Sequence, residues 1–180
     1  MHVKKIVVIG PESTGKSTLT QQLAKHYSTT WCPEYAREYL EKNGTHYNYD
    51  DLLEIAKGQI VLEDRLVQHA GNSLYFIDTN LYVMKIWCEV AFGKCHQWII
   101  DRIAERKYDL YLLCQTDLPW EVDPMREYPD PGVRQNLYNM YKDLLVNDGA
   151  RFFEISGSEV QRTEKAIKAV DYFLEAGGLG

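Results

Sequence analysis

The sequence has no long apolar run, no basic run and no closely paired cysteines, and each absence excludes a class of protein. No stretch stays apolar for the roughly 20 residues that a membrane helix needs, and the start lacks a signal-peptide pattern, so we expect a cytoplasmic protein without a membrane partner. Asp and Glu outnumber Lys and Arg by 26 to 20, so a general affinity for nucleic acid is not expected. The four cysteines form no C-x-x-C pair and the five histidines no metal-spaced cluster. A chain of 180 residues fits one domain, residues 1–180, and predicts no particular oligomeric state.

The most informative stretch is Gly10–Ser17, which fits the pattern Gly-x-x-x-x-Gly-Lys-Ser/Thr of a phosphate-binding P-loop. A short apolar run at 5–9 precedes it and apolar residues at helical spacing follow, so the loop is predicted to join a strand to a helix. Glycine lets the backbone approach a phosphate closely, and the helix N-terminus attracts its charge. Lys16 is predicted to bridge the β- and γ-phosphates and Ser17 to ligate Mg²⁺. The predicted nucleotide-binding residues are Gly10, Glu12, Ser13, Thr14, Gly15, Lys16, Ser17 and Thr18.

Carboxylates stand at the ends of two further predicted strands, where ligands collect in parallel sheets. Glu34 follows the strand 30–32 and either favours a helix N-terminus by its charge or binds and deprotonates an acceptor hydroxyl. Arg37, one turn later, holds a polar substrate or pairs with a neighbour. Asp78 ends the apolar strand 74–78, which is the Walker B pattern of an Mg²⁺ ligand, although an aspartate there also suits a helix N-cap.

Polar side chains also occur on faces that the helical spacing turns inward. Gln59 and Glu63 fall within the apolar stripe of a long helix, and they either bond to the fold or face a substrate cleft. Arg134 shares a face with apolar residues and is interpreted as a clamp on the phosphates, with a salt bridge or a buried stem as the alternative. Tyr82 and Trp87, in the helix after Asp78, are either core residues or stack on a flat ring.

Residues 117–134 are rich in Pro, Asp and Glu, and we name them the lid segment because they are predicted to be an exposed, movable loop. Trp120, Asp123 and Arg126 lie within it as candidate substrate or phosphate contacts. Gly157, after the fifth predicted strand, is a candidate position for close packing on adenine.

Five predicted strands alternate with helices, which indicates a three-layer α/β fold around a parallel sheet. Four stretches, 10–18, 34–39, 76–80 and 117–126, together resemble the ribosylnicotinamide kinase domain of the multifunctional NAD-biosynthesis regulators of bacteria. The resemblance covers nearly the whole chain, as a stand-alone kinase domain without the DNA-binding and adenylyltransferase domains of that family. Asn80 stands where that family often has a second aspartate, so a second carboxylate role is not expected there.

The resemblance implies a sheet order of 2-3-1-4-5 and an ATP- and Mg²⁺-dependent transfer of phosphate to the 5′-hydroxyl of nicotinamide riboside. In that interpretation Glu34, or alternatively Asp78, acts on the hydroxyl, while Arg126 and Arg134 neutralise the transferring group. Tyr82, Trp87 and Trp120 are candidates to stack on the nicotinamide ring, and Asp123 to bind ribose hydroxyls. Two alternatives stay open: a kinase for another nucleoside or small hydroxylated substrate, and a regulatory module that binds and slowly hydrolyses ATP.

Overall fold

The protein, described here by a computed structural model over residues 3–177, alternates strands with helices along the chain. The strands are β1 (Lys4–Ile9), β2 (Trp31–Cys32), β3 (Leu74–Asp78), β4 (Leu110–Cys114) and β5 (Phe152–Ile155). The helices are α1 (Lys16–His26), α2 (Tyr35–Asn43), α3 (Tyr49–Leu66), α4 (Leu81–Phe92), α5 (Gln97–Glu105), α6 (Pro131–Asn147) and α7 (Glu159–Gly177). No helix among the described residues is both long enough and apolar enough to cross a membrane.

The strands form one parallel sheet in the order β2-β3-β1-β4-β5, which confirms the predicted fold class and strand order. β1 lies at the centre, with Val7 opposite Ile77 on one side and Tyr111 on the other. Parallel strands need crossover connections, so helices cover both faces and the central strands are apolar on both sides. This explains why the buried runs in β1, β3 and β4 are continuous rather than alternating.

Two apolar layers hold the helices against the sheet. On one face α1 and α7 pack through residues such as Leu23 and Val170. On the other face α4 and α6 pack through Ile86, Tyr141 and Leu145. Each buried side chain of this size contributes about 1.5–3 kcal/mol relative to exposure, and a third apolar cluster, which includes Leu52 and Ile99, joins α3 to α5.

Local hydrogen bonds determine where α3 and β4 begin. Asn48, rather than Asp50 or Asp51, caps α3, and Asp51 completes the capping box by accepting from the Asn48 amide. β4 begins at Leu110, because Asp109 instead exchanges hydrogen bonds with Lys5 through its backbone and its side chain.

The lid segment is irregular up to residue 130 and then enters α6. Asp130 caps that helix by accepting from the Val133 amide, and Pro131 is its first residue, a position where its missing N–H costs no hydrogen bond. The irregular part crosses above the carboxyl ends of the strands. The P-loop after β1, Glu34 after β2 and Asp78 at the end of β3 therefore meet beneath it, which is the edge where ligands bind in such sheets.

Candidate active site

A cavity of about 320 Å³ opens at the carboxyl ends of the strands. Its floor is the P-loop, and its walls come from α2, α4, α6 and the lid segment. The predicted site residues that line it are Gly10, Glu12, Ser13, Thr14, Gly15, Lys16, Ser17, Thr18, Glu34, Arg37, Trp87 and Arg126. The fold thus brings the phosphate-binding loop, an acidic residue and an indole ring around one space.

The P-loop is shaped by backbone conformations that few residues adopt. Gly10 has φ 146°, and a Cβ there would lie 2.7 Å from the carbonyl oxygen of Cys114. Ser13 and Gly15 are left-handed, at φ 56° and 76°. Lys16 reaches back across the loop to donate to the Pro11 carbonyl at 2.7 Å. Together these contacts form a cradle of backbone around the position that an anion would take.

Asp78 is 2% exposed, and its carboxylate lies close enough to the Ser17 hydroxyl for that group to lower its pKa, so the two predicted metal ligands lie side by side. Burial, reinforced by repulsion from the Glu34 carboxylate, raises the pKa of Asp78 to about 7. The Asp78 Oδ1 atom is buried without a hydrogen-bond partner. An unsatisfied buried carboxylate oxygen beside a hydroxyl fits Mg²⁺, which prefers oxygen ligands.

The described residues contain no group of three or more His, Cys, Asp or Glu side chains able to hold a metal. Proteins usually bind Mg²⁺ through one or two carboxylates together with substrate phosphates, rather than by an all-protein cage. The alternative role for Asp78, capping α4, belongs to Asn80 instead. Asn80 accepts from the Tyr82 amide at 3.1 Å, so Asp78 does not serve as the cap; Asp78 is buried and is not part of the cavity wall.

Glu34 stands at the first position before α2 but makes no capping hydrogen bond with its side chain. It lines the cavity together with Arg37. Arg37 also forms an ion pair with Asp123 of the lid segment at 2.9 Å, so both of its predicted roles are compatible with the structure. Asp123 itself is engaged by this pair and does not appear in the cavity wall.

The lid segment is hydrogen-bonded to two P-loop residues that the sequence pattern leaves unspecified. The Glu12 carboxylate accepts from the amides of Glu127 and Tyr128, at 2.9 and 3.1 Å. The Ser13 hydroxyl accepts from the amide of Glu121 at 2.9 Å. Arg126 lines the cavity and donates to the Glu121 carbonyl at 2.7 Å.

Arg134 and Trp120 differ in placement from the sequence interpretation. Arg134 is 4% exposed and donates to the Ser13 carbonyl at 2.9 Å, so it supports the phosphate loop from behind rather than lining the cavity. Its guanidinium lies 5.6 Å from the centre of the Trp120 ring. Trp120 therefore packs on an arginine and lies outside the cavity wall.

Tyr82 and Gly157 also lie outside the wall of this cavity. The Tyr82 ring stacks on Tyr111 in the core and its hydroxyl bonds to Asp148, which is the core role that the sequence left open. Gly157 donates its amide to the Asp117 carboxylate at 2.6 Å. Its φ of 103° and the 2.6 Å from an added Cβ to Gln161 show why glycine is required there.

Arg162 is a site-supporting residue that the sequence interpretation missed. It is 2% exposed and donates to backbone carbonyls of Thr14, Gln115, Ile155 and Gly157, at 2.9–3.2 Å. It also pairs with Asp117. A signal was present, because Arg162 precedes Ala166, Ala169 and Val170 at the spacing of a buried helix face.

A family profile described as "AAA domain" matches residues 5–162. The chain belongs to this family. The match extends from β1 into α7, so the AAA domain includes the P-loop, Glu34, Asp78 and the lid segment.

Relatives of this AAA domain are longer proteins. The trifunctional NAD biosynthesis/regulator protein NadR of Escherichia coli (strain K12) is 30% identical over 180 residues, covering 98% of this chain and 43% of the relative. NadR of Salmonella typhimurium is 29% identical over 161 residues, covering 87% of this chain and 39% of the relative. The chain thus spans less than half the length of these relatives. The resemblance to the NAD-biosynthesis regulators is confirmed.

Solved structures share the fold. The crystal structure of NadR protein in complex with NR superposes with a TM-score of 0.80 at 24% identity, covering 94% of this chain and 50% of that one. The structure of NadR protein in complex with NAD and AMP-PNP gives a TM-score of 0.72 at 22% identity, covering 94% and 49%.

Proposed function

We propose that this protein transfers the γ-phosphate of ATP to the 5′-hydroxyl of nicotinamide riboside, giving nicotinamide mononucleotide. The observation that carries the proposal is the shared cavity, which has the P-loop at one end and Glu34 with an indole ring at the other. The relatives named for NAD biosynthesis and the NadR structures with NR and with AMP-PNP support the same substrates. We also propose that the protein works in the cytoplasm.

The P-loop end fits a nucleoside triphosphate. Its backbone cradle receives phosphate oxygens, and Lys16 exchanges its bond to the Pro11 carbonyl for one to a phosphate. Ser17 and Asp78 would hold Mg²⁺, as the free Asp78 oxygen suggests. When bound, Mg²⁺ neutralises charge on the β- and γ-phosphates.

The opposite end fits a flat ring carried by a ribose. Trp87 lines it among the apolar side chains of Leu40, Val83, Ile86 and Val90. The indole is held in place, because its Nε1 donates to the Tyr47 hydroxyl at 2.8 Å and the Tyr47 ring meets it edge-on. An electron-rich indole face attracts a cationic ring, and the nicotinamide of the riboside carries a positive charge.

Glu34, on the acceptor side of the cavity with the indole ring, is the group that receives a proton. The acceptor oxygen forms a bond to the γ-phosphorus, the bond from that phosphorus to the β–γ bridging oxygen breaks, and the hydroxyl proton passes to Glu34. Because the transition state of phosphoryl transfer is loose, Glu34 acts by orienting the hydroxyl as well as by receiving its proton. Arg126, at the cavity wall, adds positive charge beside the transferring group.

An acceptor panel tests the proposal. ADP release from Mg-ATP is measured with nicotinamide riboside, adenosine, cytidine, thymidine and no acceptor. We expect strong stimulation by nicotinamide riboside alone. Equal stimulation by the other nucleosides would replace the proposal with a broader nucleoside kinase, and slow release that ignores every acceptor would replace it with a regulatory ATPase.

Trp87→Leu tests the ring-binding end of the cavity. We expect KM for nicotinamide riboside to rise about tenfold or more, since stacking on an aromatic ring contributes on the order of 1–3 kcal/mol. KM for ATP stays the same. Trp98→Leu, a half-buried tryptophan on α5 outside this cavity, is the matched control. Equal KM values for Trp87→Leu and the control would remove Trp87 from the acceptor site.

A further inference from the structure

Gln59 of α3 is bonded to both sides of Glu34. It is 3% exposed, and its Oε1 accepts from the Tyr35 amide at 2.7 Å. Its Nε2 donates to the Pro33 carbonyl at 3.4 Å and to the Cys32 sulfur at 3.3 Å. One buried amide thus fixes the residue before Glu34 and the residue after it.

Gly58, next to Gln59, lets the Tyr35 ring lie directly against the backbone of α3. A Cβ on Gly58 would come within 2.0 Å of the Tyr35 Cε1 atom, so no other residue fits while the ring stays there. Glycine in a helix interior is destabilising, and this close contact gives a physical reason for it. Two adjacent residues of α3 therefore determine the position of Tyr35: Gln59 binds its backbone amide, and Gly58 makes room for its ring.

Few contacts of its own fix the direction of the Glu34 side chain. Its side chain makes no capping bond to α2, and β2 before it is only Trp31–Cys32. The orientation of the Glu34 carboxylate therefore follows from the backbone of the turn, and the turn is held by α3.

We propose that Gly58 and Gln59 are positioning residues that aim the Glu34 carboxylate at the acceptor hydroxyl. This inference rests on the proposed kinase function. A buried polar side chain destabilises the fold unless it is hydrogen-bonded. The hydrogen bonds of Gln59 go to the turn that carries Glu34, the proposed base. Misplacing a reacting group by about 1 Å can cost on the order of a hundredfold in rate.

A double-mutant cycle tests the inference. Glu34→Gln, Gln59→Leu and the double variant are compared with wild type for kcat with nicotinamide riboside, and ATP binding is measured by calorimetry. We expect Gln59→Leu to lower kcat about ten- to a hundredfold while the ATP dissociation constant changes less than twofold. We expect the double variant to be no slower than Glu34→Gln alone, because a residue that acts through Glu34 has nothing left to position.

Three further variants separate positioning from folding. Leu62→Ala, at a buried apolar site of the same helix, lowers stability but leaves kcat of the folded protein unchanged. Gln59→Glu keeps the acceptor for Tyr35 and loses the donor to Pro33, so it retains more of kcat than Gln59→Leu. Gly58→Ala displaces the Tyr35 ring and lowers kcat in the same direction as Gln59→Leu.

The inference would be overturned if the double variant lost kcat by the product of the two single losses. An unchanged kcat in Gln59→Leu would also overturn it. The wild-type rate is read first and judges the kinase function separately. If wild type uses another hydroxylated acceptor, the same cycle is run with that acceptor. If wild type phosphorylates no acceptor, Glu34 has no hydroxyl to act on and the inference falls with the function.

Discussion

At the scale of single residues, Lys16 gives the sharpest expectation. Its ammonium reaches across the P-loop and donates to the Pro11 carbonyl. A bound phosphate would take the place of that carbonyl as the acceptor. Lys16→Ala is expected to lower kcat at least about a hundredfold, since one lost group that stabilises developing charge costs on that order. Thermal unfolding stays close to wild type, because the Lys16 side chain is not part of either apolar layer.

Lys25→Ala, near the other end of the same helix and exposed, serves as the control for Lys16→Ala. A kcat near wild type in Lys16→Ala would contradict the assignment of the P-loop as the ATP site. The steady-state rate of ADP release is sufficient to decide.

Arg162 gives a stability prediction at the same scale. Arg162→Met leaves several buried carbonyls without a donor and Asp117 without its partner, so the free energy of unfolding should fall by about 3 kcal/mol. KM for ATP should also rise, because Arg162 supports the Thr14 carbonyl and the Gly157 turn. Urea unfolding measures the first effect and initial rates the second.

Arg151→Met is the matched control, since Arg151 is exposed and lies before β5, at the far end of the sheet from the P-loop. Equal unfolding free energies for Arg162→Met and Arg151→Met would show that the buried bonds of Arg162 do not contribute net stability.

Local residues of the site were predictable, and residues brought there by packing were not. Lys16, Ser17 and Asp78 follow from motifs in which neighbours in sequence are neighbours in space. Tyr82 depends on which face of α4 turns to the sheet, and Trp120 on how an irregular segment settles over Arg134. No local pattern encodes either choice.

At the scale of elements, the lid segment and the P-loop form one connected unit. The Glu12 carboxylate holds the amides of Glu127 and Tyr128, and burial raises the pKa of Glu12. Glu12→Ala is expected to speed amide hydrogen exchange at residues 127–128, since local opening follows from the loss of such bonds. KM for the acceptor should rise, because the segment forms one wall of the cavity.

Glu121→Ala is the control for the lid segment, as its side chain is 79% exposed. Unchanged exchange at 127–128 in Glu12→Ala would mean that the backbone of the segment stays ordered without the P-loop contact.

The ends of strands and helices were predictable where the residue pattern changes abruptly along the sequence. β3 matches the predicted strand 74–78, because the apolar run begins and ends sharply there. The beginning of α3 is harder to predict, since three candidates for the cap, Asn48, Asp50 and Asp51, lie within four residues and only the capping box distinguishes them.

At the scale of the whole molecule, the central claim is that one cavity binds both a nucleotide and a riboside and joins them. The sheet order β2-β3-β1-β4-β5 places β1 between the strands that carry Asp78 and those that support the Gly157 turn. β2 lies beyond β3 at the edge and brings Glu34 to the acceptor side. Composition could not yield this arrangement, since strand order depends on long-range pairing.

The most direct measurement is the yield of nicotinamide mononucleotide per ADP when the protein is incubated with Mg-ATP and nicotinamide riboside. Chromatography separates both products in one sample. The account predicts one nicotinamide mononucleotide for each ADP, with both products lost when EDTA removes Mg²⁺. ADP formed without nicotinamide mononucleotide would contradict it.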